Sequence, residues 1–170
     1  MSSRPLRMYL SQAMKPSFEI VRAETPARLT LARALFERYA AWIGIDLEFQ
    51  GFKEELAGLP GEYAHPGGCI LLAERGGEAL GCVALRPLGA DICEMKRLYV
   101  LPEWRGRGAG RALAEAVLRE ARERRYTLMR LDTLAHMREA IGLYRSLGFR
   151  EIEPYRFNPI EGAVYMELHL

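Results

Sequence analysis

Residues Leu98–Arg122 read LYVLPEWRGRGAGRALAEAVLREAR. An alternating apolar run ends at Pro102, the loop EWRGRGAG follows, and an amphipathic helix is expected from about Gly110 to Arg124. Leu113, Ala116, Val117 and Ala121 share one side of that helix, while Glu115, Arg119, Arg122 and Glu123 share the other. Gly106, Gly108 and Gly110 stand at alternate positions between strand and helix. Glycine permits positive φ and close backbone approach, so successive N–H groups can converge on one concavity at the helix N-terminus. Such a nest suits a phosphate or pyrophosphate, and Arg105, Arg107 and Arg111 add positive charge. A Walker loop is absent, because no GxxxxGK is followed by Ser or Thr. A dinucleotide GxGxxG fingerprint fails because Arg111 stands where its third glycine belongs. The pattern Arg/Gln-x-x-Gly-x-Gly/Ala is met by Arg105, Gly108 and Gly110. A merely flexible turn would need neither three glycines nor a cluster of arginines.

Working outward, Phe18 to Arg22 reads as a strand, and Thr25-Pro26 starts a helix that Gly44 ends. Phe49 to Ala57 reads as a second helix. Cys69 to Glu74 and Ala79 to Pro87 form a hairpin across Gly76-Gly77, and Ile92 to Val100 extends it into an antiparallel meander. After the long helix come a strand at Thr127–Thr133, a helix at Arg138–Leu147 closed by Gly148, and strands at Phe149–Glu153 and Ala163–Leu168. The order β, α, α, β, β, β, α, β, α, β, β predicts one α/β domain over 17–170. Its sheet is mixed, mostly antiparallel and twisted, with about seven strands and four flanking helices. Residues 1–16, mixed polar and basic without the apolar core of a signal peptide, read as a flexible extension.

The formal net charge of +2 over 170 residues is too small to argue for a nucleic acid or a membrane as partner. No apolar run approaches the roughly 20 residues of a membrane span. Cys69, Cys82 and Cys93 lie in apolar or alternating stretches without CxxC spacing, which reads as buried thiols in a reducing, cytoplasmic setting. His65, His136 and His169 lack ligand spacing, so no metal is expected. Asp132, Thr133 and His136 lie close in sequence but lack a nucleophile elbow.

The segment Leu98–Arg122 resembles the cofactor-binding signature of the GNAT superfamily of acyl-CoA-dependent N-acyltransferases, and AIGLYRSLGF (Ala140–Phe149) resembles that family's second signature. The two stand in the family's order with a strand between them. The resemblance implies acetyl-CoA as co-substrate. It also implies a fourth strand that splays from the fifth, with main chain at Leu98, Tyr99 and Val100 pairing with the pantetheine arm. Amides from Arg105 through Gly106, Arg107, Gly108, Ala109 and Gly110 to Arg111 would then take the pyrophosphate. It implies direct attack of a neutral amine on the thioester, with Tyr144 matching the tyrosine that protonates the leaving thiolate; a core aromatic is the other reading of Tyr144. Glu94, placed by strand alternation on one side with Lys96 and Leu98, reads either as the base or as one member of an ion pair. Relatives often carry Asn where this chain has Met137, so that contact with the arm is either lost or replaced by Thr133 or His136. Tyr39 and Trp42, near the helix-to-helix connection, and Tyr155 and Asn158, in the last loop, are candidate acceptor-binding residues. The leading expectation is acetylation of a primary amine of a small molecule. A protein or peptide acceptor and a non-catalytic acyl-CoA sensor are the alternatives, and a homodimer is a common assembly for the family.

Overall fold

The computed structural model describes residues 17–170, and the extension expected at 1–16 lies outside the described residues. Strand β2 (Cys69–Arg75) shows how the core is divided. Cys69, Leu71 and Ala73 enter one apolar cluster, and Ile70 and Leu72 enter another on the opposite face. A strand covered on both faces needs apolar residues at every position, which is why CILLA does not alternate with polar residues.

The sheet has seven strands in the order β1 (Glu19–Arg22), β2, β3 (Glu78–Pro87), β4 (Ile92–Val100), β5 (Leu128–Leu134), β7 (Ala163–His169), β6 (Arg150–Ile152). All neighbours are antiparallel except β4 and β5. Helices α1 (Pro26–Ile43) and α2 (Phe52–Ala57) cover one face; α3 (Ala109–Glu123) and α4 (Arg138–Ser146) cover the other. Thr25 caps α1 by accepting from the Arg28 amide at 3.2 Å, and Gly44, at φ 66°, closes it. Helix α3 buries Leu113, Ala114, Val117 and Ala121 against the sheet, the side its sequence periodicity marks.

Two departures from the sequence reading concern the site. The helix expected over Phe49–Ala57 is broken: Glu48–Gln50 forms a 3₁₀ turn, and Gly51, at φ 70°, separates it from α2. In β4 the pairing with β3 slips between Cys82↔Tyr99 and Ala84↔Lys96, and Arg97 takes φ 60°. This β-bulge inserts one residue, so the alternation reverses beyond it. Leu98 therefore packs with the α3-side core, not beside Glu94 and Lys96 as simple alternation required. Lys96 and Arg97 instead emerge on the same side, where both donate to the Gln50 side-chain oxygen.

Strands β4 and β5 pair only at Ile92, Cys93 and Glu94 with Leu128, Met129 and Arg130. Beyond Glu94 they part, leaving main chain on the β5-facing edge of β4 without a ladder partner. That gap is the foundation of the site.

Candidate active site

The first half of the site is a groove of about 500 Å³ between the end of β4, the loop before α3, and α4. Gly106 and Gly108 adopt φ 75° and 87°, a left-handed region strained for residues with a Cβ. Gly110 is different. It is helical, and a Cβ there would stand 3.8 Å from Val100 Cγ2. Two of the three loop glycines thus supply backbone freedom, and Gly110 keeps the groove wall low. No side chain caps α3, so its first-turn N–H groups stay available to an anion, with the helix dipole behind them.

Every cofactor residue expected from the sequence lines this groove except Arg107. The Arg107 guanidinium lies over the Trp104 ring at 4.7 Å. Arg105 donates to the Val100 carbonyl at 3.1 Å and stacks 4.6 Å above Trp42. Arg111 donates to Ser146 Oγ at 2.7 Å and ties α3 to α4 across the groove. His136 and Met137 also line it, and Thr133 contacts Met137 Sδ. The uncapped amides, the left-handed glycines and the unpaired edge of β4 fit a long thioester carrier with a diphosphate at one end.

The second half is a chamber of about 90 Å³ where β4 and β5 part. Trp42, Leu98, Met137 and Ala140 line both spaces, so groove and chamber are continuous. Tyr144 faces the chamber, its ring 5.7 Å from Phe149. Burial pushes its phenol pKa above the ordinary value, which keeps the hydroxyl protonated at neutral pH. Tyr39, Trp42 and Asn158 also line the chamber, as expected of acceptor residues.

Tyr155 and Glu94 stand apart from it. The Glu94 side chain is fully buried; Oε1 accepts from Arg86 at 2.9 Å, and Oε2 accepts from the Tyr155 hydroxyl at 2.6 Å and pairs with Arg156. Neither Glu94 nor Tyr155 lines the chamber. The Tyr155 ring meets Tyr165 edge-on at 5.3 Å.

Three polar side chains to which the sequence reading gave no site role, Asp132 having been set aside for want of a nucleophile elbow, do face the chamber. Asp132, on β5, accepts from Asn158 Nδ2 at 3.2 Å. Gln50 belongs to the 3₁₀ turn. Lys96 donates to Gln50 Oε1 at 3.1 Å, and burial, reinforced by Arg97 and Arg86, pushes its ammonium pKa down to about 7. Arg97 is neutralised in place, since Glu55 takes its Nε and Nη2 at 2.9 and 3.0 Å. The signal for Asp132 was its place on the strand after the glycine-loop helix. Lys96 and Gln50 carried no signal, because a bulge and a broken helix bring them in. The three cysteines are buried and free, and burial pushes Cys69 and Cys93 up to about 12, so none is poised as a nucleophile. Among the described residues no three His, Cys, Asp or Glu side chains cluster as metal ligands, and no helix is long and apolar enough to cross a membrane.

Comparison with known proteins agrees with this architecture. The model of the acetyltransferase (GNAT) family matches residues 35–149. An uncharacterised N-acetyltransferase of Schizosaccharomyces pombe is 42% identical over 160 residues, spanning 92% of this chain and 98% of that protein. A Klebsiella pneumoniae protein whose crystal structure is described as that of an acyl-CoA N-acyltransferase superposes with a TM-score of 0.72 at 29% identity, covering 92% of this chain and 99% of the other. A Bacillus anthracis structure, described as a streptothricin acetyltransferase in complex with acetyl-coenzyme A, shares the fold at a TM-score of 0.57 and 21% identity, over 66% of this chain and 70% of that one. The chain belongs to the acetyltransferase (GNAT) family and is an acetyl-CoA-dependent N-acetyltransferase.

Proposed function

We propose that the protein transfers the acetyl group directly from acetyl-CoA to a primary amine of a small acceptor, both substrates being bound at once. The observation that carries this reading is the continuity of groove and chamber across the β4–β5 gap, with Tyr144 facing the chamber. The loop amides from Arg105 to Arg111 hold the diphosphate, and main chain at Leu98–Val100 pairs with the arm, which brings the thioester to the gap. An acceptor amine in the chamber gives its proton toward Asp132, the carboxylate that faces the chamber. Its neutral nitrogen attacks the thioester carbonyl and forms the C–N bond, the C–S bond breaks, Tyr144 protonates the departing thiolate, and the second proton, shed by the new amide nitrogen, returns Tyr144 to its phenol form. In this assignment Glu94 anchors Arg86, Arg156 and Tyr155 rather than serving as the base, because its oxygens are already occupied.

A chamber of about 90 Å³ that opens into the groove favours a compact amine-bearing acceptor over a folded protein surface. The test is release of free thiol from acetyl-CoA with a panel of small amines and of peptides. Turnover with small amines well above that with peptides is expected. Turnover confined to peptides would replace the small acceptor with a peptide one, and binding without turnover for any acceptor would make the protein an acyl-CoA sensor.

A further inference from the structure

We propose that Lys96 forms an anion seat in the chamber, and that the acceptor is a small amine bearing a carboxylate a few bonds from its nitrogen. This rests on the acetyltransferase reading above and narrows its acceptor. The bulge at Arg97 puts two adjacent cations on one face of β4, and the fold treats them unequally. Arg97 has a bidentate carboxylate partner in Glu55. The Lys96 side chain is 4% exposed, yet its single hydrogen-bond acceptor among the described residues is the neutral Gln50 oxygen. An ammonium group carries three donors, so two are left to the cavity. The nearest carboxylate oxygen, Glu94 Oε1, lies 4.0 Å away and already accepts from Arg86.

A buried cation whose nearest counter-charge is 4.0 Å away and shared with an arginine is poorly compensated, and burial accordingly weakens the ammonium toward its neutral form. The charged groups acting on it are Glu94 and Arg97 from β4, Arg86 from β3, Glu55 from α2 and Asp132 from β5. Glu94 and Glu55 are each committed to arginines. Asp132 acts on Lys96 only at a distance, so among the described residues Lys96 has no anion in hydrogen-bond contact. A carboxylate in the chamber would restore its proton and supply a charge-assisted hydrogen bond. Asp132, on the strand across the gap, is placed for the amine end. A bare amine would leave Lys96 unanswered, whereas an amino-acid-type acceptor answers both charges.

The experiment compares kcat/KM for free amino acids with that for the matching amino-acid amides, in the wild type and in Lys96→Met. The expected ratio of acid to amide falls by roughly tenfold or more in the variant, while KM for acetyl-CoA is unchanged. Calorimetry of amino-acid binding to the wild type at pH 8, in HEPES and in triethanolamine, provides a readout independent of the variant's folding. Uptake of protons is expected as Lys96 recharges, and none would overturn the seat. Turnover with an acid-to-amide ratio that Lys96→Met leaves unchanged refutes the seat and spares the acetyltransferase reading. A uniform loss of kcat across acids and amides makes Lys96 a base instead and also refutes it. No thiol release with any amine overturns both.

Discussion

The groove is walled largely by one continuous stretch, Leu98 to Arg111, with α4 and the residues before it opposite. The chamber is walled by side chains from α1, the Glu48–Gln50 turn, β4, β5, α4 and the segment before β7. The groove offers amides that any sequence with the right glycines can present, and its proposed ligand is the phosphate-bearing acetyl-CoA. The chamber offers Lys96, Asp132, Gln50, Tyr39 and Asn158, a set assembled only by the tertiary fold. On the proposed assignment, the difference makes cofactor binding and acceptor choice separable. Substitutions in one half should move one kinetic constant and spare the other.

The largest separation is expected from Gly108→Val combined with Gly110→Val. A β-branched residue at φ 87° is strained, and a bulkier residue at 110 fills space against Val100. Calorimetric affinity for acetyl-CoA should fall by about 10⁴-fold or more, because the free loop relaxes out of the strained conformation and its amides no longer converge. Next, Tyr144→Phe should lower kcat by about 10²–10⁴, the range of general acid catalysis, with acetyl-CoA affinity held. An equal loss of affinity and turnover would make Tyr144 a packing residue and blur the comparison. Asp132→Asn should reduce kcat/KM for the acceptor by about 10- to 100-fold and leave acetyl-CoA binding intact, as measured by steady-state kinetics at saturating carrier.

A separate effect is expected on stability. With its pKa lowered to about 7 from 10.5, Lys96 is charged in both folded and unfolded chains below pH 7, where its burial penalty is fully present. Between pH 7 and 10.5 the unfolded chain binds more protons, so stability gained through this group rises with pH. Lys96→Met should therefore stabilise the protein by about 1–4 kcal/mol at pH 6, with the gain shrinking as pH rises toward 10. Thermal melts across that range check the sign; a gain that grows with pH would contradict the assignment.

The same division explains what could be read from the sequence. The glycine loop, the apolar face of α3 and the caps at Thr25 and Gly44 are written within a few residues of one another, so local chemistry reveals them. Tyr144 was legible because it belongs to a short run on one helix turn. Tyr39, Trp42 and Asn158 proved to line the chamber, whereas Tyr155 turned to Glu94 because a buried carboxylate with two guanidinium partners also draws a hydroxyl donor. Lys96 could not be read in that role. A positive φ at Arg97, a non-glycine residue, is a tertiary outcome with no local sequence mark, and it changes which side chains share a face. Gln50 was hidden in the same way, since the helix it was assigned to breaks at Gly51.

The most direct measurement is a crystal structure of the protein with acetyl-CoA bound. Its diphosphate should lie against the amides of residues 106–111, with the acetyl carbonyl in the β4–β5 gap facing the Tyr144 hydroxyl. A carrier bound elsewhere on the surface, or a thioester on the far side of the sheet from Tyr144, would contradict the two-part site.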